Sequence, residues 1–322
     1  MNQPLRIVVL GGTGFVGSHL VPHLANAGHR ITVLSRNRER HRDLAVLPGS
    51  AVLSRNVYDP TALAHAFAGA DAVINLVGIL NEKGYDGSGF RRAHVDLTRI
   101  VIDAMGRAGV RRLLQMSALR TGDGGQSWYL KTRAEAEALV RASTLDWTIF
   151  RPGVIFGPGD GLFNRFRQLL ALAPVLPLAR AGTKFAPVYV RDVAEAFSRA
   201  LVDPATIGET YEIYGPDVMT LAEIVRYTAR HAGMKRGVIG LPDALGWAQA
   251  ATMGAVFGLI PFVEKPLSTD NFKSLALDSV GKVDGLKRLG ITPTPVDAIV
   301  PDMLSGKLGK QDELDAYRRR RS

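Results

Sequence analysis

LRIVVLGGTGFVG, residues 5–17, opens with an apolar, β-branched run that stops on glycine. An unbroken series such as Ile7, Val8, Val9 and Leu10 suits a strand buried on both faces, the habit of parallel sheets. Beyond the glycines, Val16, Leu20 and Leu24 recur at helical spacing, and Gly28 closes that helix. ITVLS, residues 31–35, then reads as a second strand. Strand, glycine turn, helix and strand within about thirty residues make the unit whose turn cradles a dinucleotide pyrophosphate. Gly11 permits the tight turn, and Gly14 lets the backbone approach a phosphate with no Cβ in the way. Gly17 lets the helix pack closely on the sheet. The amides at the helix start, around Thr13, Phe15 and Val16, complete the anion site at the positive end of the helix dipole.

The end of the second strand discriminates between dinucleotides. An acidic residue there, about 20 residues along, grips the ribose 2′-hydroxyl of NAD(H). Here Ser35-Arg36-Asn37-Arg38 occupies the position, and the first carboxylate is Glu39. A guanidinium binds a 2′-phosphate bidentately where a carboxylate would repel it. The pattern therefore predicts NADP(H) ahead of NAD(H), with Arg36 the first candidate, Arg38 the second and Ser35 beside them. A solvated surface charge is the plain alternative for each arginine.

The alternation continues. Residues 51–54 read as a third strand, AVINLVG (72–78) as a fourth, RLLQMS (112–117) as a fifth and WTIFRPG (147–153) as a sixth. Helices are expected at 60–68, 91–108 and 129–142. This predicts a doubly wound α/β fold with a parallel Rossmann sheet and a smaller, mostly helical C-terminal lobe. Residues 1–152 and 184–214 are assigned to the dinucleotide-binding domain, 153–183 and 215–305 to the lobe, and 306–322 to a basic mobile tail. Ligands collect at the carboxyl ends of such strands, where Val77, Gly78 and Ser117 fall.

Composition bounds the chemistry. The chain has 322 residues, 46% hydrophobic and 22% charged, with no cysteine. That excludes disulfides, thiolate metal sites, iron–sulfur clusters and a cysteine nucleophile. His65 and His94 have no partners at metal-ligand spacing, so no metal site is expected. Asp192 is read as the cap of the helix it opens. The net charge of +10 suits solubility or a polyanionic partner. Its clusters lack interleaved aromatics, which argues against nucleic acid.

The chain resembles the extended or atypical branch of the short-chain dehydrogenase/reductase superfamily, through GGTGFVG, NLVG, LLQMSAL, the Tyr129 helix and RPGVIFGPGD. Within that branch it is similar to the NAD(P)H-binding accessory-subunit family of respiratory complex I and its bacterial relatives. The segments are 151–166 (RPGVIFGPGDGLFNRF), 185–197 (FAPVYVRDVAEAF), 201–216 (LVDPATIGETYEIYGP) and 285–295 (GLKRLGITPTP). The resemblance spans about residues 5–305.

It implies a catalytic serine, tyrosine and lysine. The tyrosine exchanges a proton while hydride moves to or from nicotinamide, a cation four residues on favours the phenolate, and the serine bonds the reacting oxygen. Ser117 and Tyr129 match, but the fourth position after Tyr129 is Arg133, and Lys131 falls on another helical face. Arginine supplies charge and a grip on the nicotinamide ribose, yet does not deprotonate. Tyr129 is thus either an acid/base or a nucleotide-contacting residue. The resemblance also places Pro152 beside nicotinamide.

ALGWAQAATMGAVFGLIPFV, residues 244–263, carries no charge. It is read first as a buried or partner-covered helix, then as an interfacial helix on a bilayer, and last as a membrane span. Met1 to Leu10 is too short for a signal peptide. A cytoplasmic protein is expected, with peripheral association at the inner face of the membrane as the variant. Two functions stay open. One is an NADP(H)-dependent oxidoreductase or epimerase-like enzyme acting on a hydrophobic substrate or quinone. The other is a nucleotide-holding subunit of a respiratory complex without turnover.

Overall fold

The computed structural model describes residues 3–36, 44, 47–82, 84–258 and 268–308. Seven strands form the main sheet: β1 (Arg6–Leu10), β2 (Arg30–Ser35), β3 (Ser50–Ser54), β4 (Ala72–Asn75), β5 (Arg112–Met116), β6 (Asp146–Pro152) and β7 (Glu209–Ile213). All pairings are parallel, in the order β3-β2-β1-β4-β5-β6-β7. Strand order reverses between β1 and β4, which lie side by side with Ile7 opposite Ala72. That reversal opens a crevice at the carboxyl ends of the two strands.

The apolar strands explain the double winding. Ile7 and Val9 face one layer, with Leu20, Leu24, Val193 and Phe197 from helices Phe15–Asn26 and Val190–Val202. Val8 and Leu10 face the other, with Leu63, Phe67, Leu97, Val101 and Val140 from helices Pro60–Phe67, Leu97–Ala108 and Trp128–Arg141. A strand apolar at every position is what a sheet covered on both faces requires.

Several details differ from the sequence reading. The fourth strand ends at Asn75 rather than Gly78, because its side chain takes over the local bonding. Asn75 Oδ1 accepts from Val77 N at 3.1 Å, and Nδ2 donates to Gln115 Oε1 at 3.0 Å. The helix expected at 91–108 is a turn of α-helix (Ser88–Arg91), a π-helical segment (Arg92–Asp96) and then Leu97–Ala108.

Asp192 does not cap its own helix. Its carboxylate accepts from Thr294 N at 2.6 Å and Thr294 Oγ1 at 2.9 Å, holding the distant 291–295 segment against the sheet domain. A carboxylate in the first turn satisfies whichever amide reaches it, and here that amide comes from elsewhere in the chain.

Beyond β6, the lobe holds helices Phe163–Leu172, Leu221–His231, Asp243–Gly258 and Thr269–Ser274. It also holds small sheets, of which the longest pairs Val175–Ala179 in parallel with Gly237–Leu241. In the apolar segment, Gly246 and Ala250 are buried toward Ala179 and Phe272, while Leu245 and Trp247 are exposed. No helix among the described residues is long and apolar enough to cross a membrane. Residues 259–263 of that segment and the tail from 309 lie outside the described residues.

Candidate dinucleotide and active site

The turn after β1 is built on three unlike glycines. Gly11 has φ +75°, a left-handed conformation, and a Cβ there would meet Leu76 C and Val77 N at 3.1 Å. Gly17 lies against the turn: an added Cβ would sit 2.4 Å from Gly12 Cα. Gly14 is different. A Cβ there would approach only Gly11 O, at 3.3 Å, with open space otherwise. Gly14 is also the N-cap of helix Phe15–Asn26, with no side-chain cap and no acidic residue in the first turn. An uncapped helix N-terminus facing open space fits a pyrophosphate.

The same edge of the sheet gathers the other predicted residues. Leu76 N donates to Leu10 O at 3.0 Å, which sets Val77 and Gly78 beside the Gly11 turn. Arg133 crosses to this edge from its helix. Its Nη1 donates to Met116 O at 2.8 Å and Val77 O at 3.4 Å, bridging the ends of β4 and β5. A Cβ on Gly78 would fall 1.9 Å from Arg133 Nη2, so a larger residue there would displace this guanidinium. Arg133 is buried, and its Nε finds no hydrogen-bond partner among the described residues.

Ser117 follows Met116 directly and is also buried, its amide bonded to Phe150 O at 2.7 Å. Thr121 Oγ1 donates to Ala118 O at 2.7 Å, so Ser117 Oγ is the donor in its 3.4 Å contact with Thr121 Oγ1. Pro152 O accepts from Leu119 N at 2.8 Å and ties the loop after Ser117 to β6.

Tyr129 lies one helical turn before Arg133, whose guanidinium carbon is 5.6 Å from the phenol ring centroid. The ring packs edge-on against Phe90 and His94. Lys131 instead stands over Trp128, 5.3 Å from its ring.

His94 has a fixed role. Thr132 Oγ1 donates to Trp128 O at 2.8 Å, so His94 Nδ1 must donate to Thr132 Oγ1 at 2.9 Å. His94 Nε2 then accepts from Ile79 N at 3.4 Å. Burial, reinforced by the Arg133 charge, pushes its pKa down to about 2. A neutral imidazole with both nitrogens engaged braces the Tyr129 helix, and no metal cluster occurs among the described residues.

At the other end of the crevice, Ser35 is buried and Arg36 exposed. Arg36 lies within electrostatic reach of Tyr58, and Arg92 stands over the Tyr58 ring at 4.8 Å. Arg92 is a second guanidinium that the sequence reading missed. Arg38 lies outside the described residues.

Two further features had no local signal. Asp270 from the lobe accepts from Trp128 N at 2.6 Å and Tyr129 N at 3.2 Å, capping the helix that bears Tyr129. Glu137, buried on that helix, is clamped by Arg151 at 2.6 and 2.8 Å and by Arg141 at 2.7 Å. Beside Trp128 the surface forms a shallow depression, lined by Glu82, Tyr85, Phe90, Trp128, Asp270 and Lys273 among others, that encloses about 20 Å³, close to the space of one water molecule.

A family model described as NAD(P)H-binding matches residues 11–164. The mitochondrial NADH dehydrogenase [ubiquinone] 1 alpha subcomplex subunit 9 of Arabidopsis thaliana is 31% identical over 87% of this chain and 71% of its own length. The chain belongs to this NAD(P)H-binding, short-chain dehydrogenase/reductase-like family.

Bacterial reductases are among its relatives: a ceramide reductase of Caulobacter vibrioides is 34% identical over 79% of this chain and 81% of that one. In structure it is similar to the dTDP-glucose 4,6-dehydratase DesIV of Streptomyces venezuelae. There the TM-score is 0.74 at 20% identity, over 94% of this chain and 96% of that one.

Proposed function

We propose that the chain is an NADPH-dependent reductase of an apolar carbonyl compound, a long-chain ketone or a quinone. The observation that carries this reading is the assembly on one sheet edge of an open helix N-terminus at Gly14, the Arg133 bridge and the Tyr129 helix. Gly11, Gly14 and Gly17, with the amides near Thr13, Phe15 and Val16, would hold the pyrophosphate. Val77 and Gly78 would face the adenosine side, and Arg133 and Pro152 the nicotinamide side. Arg36, with Arg92 as a second cation and Arg38 outside the described residues, would meet the 2′-phosphate beside Ser35. No acidic residue stands at the end of β2 to oppose it.

NADPH, when bound, supplies the hydride. The chain's residues then do the rest. Ser117 donates a hydrogen bond to the substrate oxygen, turning away from Thr121 to do so. Tyr129 delivers the proton that converts this oxygen to a hydroxyl. Arg133 keeps a permanent positive charge beside the developing oxyanion. Tyr85, Phe90 and Trp128 form the aromatic part of the shallow depression beside this helix, which would have to widen to take an apolar chain. The relative named as a ceramide reductase supports a carbonyl substrate carrying such a chain.

The test is oxidation of NADPH by purified protein with a long-chain 3-oxo amide or a short-tailed quinone, in the wild type and in Tyr129→Phe. Turnover lowered about 10²-fold or more in the variant, with NADPH still bound, supports the reading. Tight NADPH binding with no turnover of either compound class would instead mark a nucleotide-holding subunit.

A further inference from the structure

We infer that Arg133 makes this site select the reduced dinucleotide, so that the chain binds NADPH in preference to NADP⁺. The inference rests on the nicotinamide placement proposed above and concerns the charge of the ring itself.

Arg133 is a buried cation without a counter-charge. The residue is only 5% exposed. Its Nη1 donates to Met116 O and Val77 O, both neutral carbonyls, and its Nε is buried with no hydrogen-bond partner among the described residues. The Tyr129 ring, 5.6 Å away, offers a quadrupole rather than a negative charge. Carboxylates on or against this helix are engaged with other groups. Glu135 pairs with Arg91, and Glu137 with Arg141 and Arg151. Asp270 accepts from the amides of Trp128 and Tyr129 at the helix start. His94 is neutral, and the Arg133 charge helps to hold it so. An arginine does not deprotonate to relieve this state. Burying a charge without a partner is costly, and a second positive charge beside it adds to the cost.

Position decides what this cation reads. Its carbonyl bonds hold it across the ends of β4 and β5, beside Gly78, and Met116 directly precedes Ser117. The adenosine and phosphate groups are the same in NADPH and NADP⁺, so the glycine turn and Arg36 treat both alike. The two forms differ at the nicotinamide ring, which is neutral when reduced and cationic when oxidised. Two unit charges about 10 Å apart, at an effective dielectric of about 20, repel enough to cost about tenfold in affinity or more. The site therefore retains NADPH and expels NADP⁺. A reductase releases its spent cofactor by this means, and a chain without turnover stays loaded with the reduced form.

The experiment is calorimetric titration of the wild type, Arg133→Gln and Arg133→Lys with NADPH, NADP⁺ and 2′-phospho-ADP-ribose, which lacks the ring. Thermal unfolding checks that each variant is folded. In the wild type, NADPH should bind at least about tenfold tighter than NADP⁺, and NADP⁺ no tighter than 2′-phospho-ADP-ribose. Arg133→Lys should keep the preference for NADPH, and Arg133→Gln should reduce it to about threefold or less, as expected when the repelling charge is gone. A wild-type protein that binds NADPH and NADP⁺ equally, or a preference that persists unchanged in folded Arg133→Gln, would overturn the inference. Should Arg133→Gln not fold, the ringless nucleotide decides: NADP⁺ binding tighter than 2′-phospho-ADP-ribose would show that the cationic ring is not repelled. Equal binding of the two forms would leave the proposed cofactor site standing, whereas failure of both to bind would remove that site and this inference with it.

Discussion

Replacing Gly14 by valine separates a ligand-making glycine from a fold-making one. Gly14 has φ −78° and ψ −178°, an extended conformation that β-branched residues adopt readily. The built Cβ touches only Gly11 O at 3.3 Å. Loss of an N-cap glycine and gain of unfolded-state rigidity oppose each other at about 1 kcal/mol or less. Gly14→Val should therefore unfold within a few degrees of wild type. Its methyl groups, however, would occupy the space before the helix N-terminus. Loss of two charge-assisted bonds to phosphate at about 1.5–3 kcal/mol each predicts roughly 10²- to 10⁴-fold weaker NADPH binding. Gly17→Ala is the contrast, because its Cβ would lie 2.4 Å from Gly12 Cα and 2.5 Å from Gly12 O, and backbone atoms cannot step aside. That variant should lose stability at the upper end of about 1–3 kcal/mol. Calorimetric NADPH titration and thermal unfolding read both quantities. A folded Gly14→Val protein that binds NADPH like wild type would refute the placement of the phosphates.

Arg36→Ala should weaken NADPH about 10- to 100-fold and leave NADH unchanged, measured by fluorescence titration of both; equal wild-type affinities would sink the 2′-phosphate assignment. His94 is neutral when folded, with a pKa of about 2, and protonates in the unfolded chain below about 6.5. Its contribution to stability is complete above that value and falls by about 1.4 kcal/mol per pH unit below it, so urea unfolding from pH 7 to 5 should be flatter in His94→Asn. Arg133→Lys should keep NADPH bound and retain or raise turnover of any carbonyl substrate found, since an ammonium exchanges protons and a guanidinium does not; loss of turnover in that variant, with cofactor bound, would contradict the assigned role of charge at this position.

The glycine turn and the parallel sheet are legible because their signals are local. Five apolar residues, a tight turn and a helical stripe lie within one stretch, and each constrains the backbone where it stands. The end of β4 was misjudged because Asn75 terminates it with a side-chain bond to Val77, and this competes with a ladder that the apolar Leu76 and Val77 would otherwise continue. Asp192 shows the opposite error, since the residue type was read correctly as an amide acceptor while the amide, on Thr294, lies 102 positions away. Arg92 was hidden for a third reason: it stands on a π-helical segment, which changes the face that a regular helix would present.

The substrate side of the site depends on contacts that no local pattern reveals. Helix Trp128–Arg141 is gripped at three points by three different parts of the chain. Asp270 caps its first amides from the lobe, Arg133 fastens its second turn to the carbonyls of β4 and β5, and Glu137 locks its middle to Arg151 of β6. Only the first of these grips comes from outside the sheet domain. Burial outweighs the two amide bonds and holds the Asp270 carboxyl above the ordinary carboxylate range. Asn271, the next residue, donates to Asn81 in the loop that lines the depression. Lobe position and Tyr129 position are thereby joined through two adjacent residues at its wall. In the proposed complex a substrate against this wall would contact both sides of that joint, whereas the pyrophosphate and 2′-phosphate would lie at the glycine turn and Arg36, away from it. Cofactor affinity and substrate affinity should then respond to different residues of this chain, the first to the glycine turn and Arg36, the second to Asp270 and its neighbours.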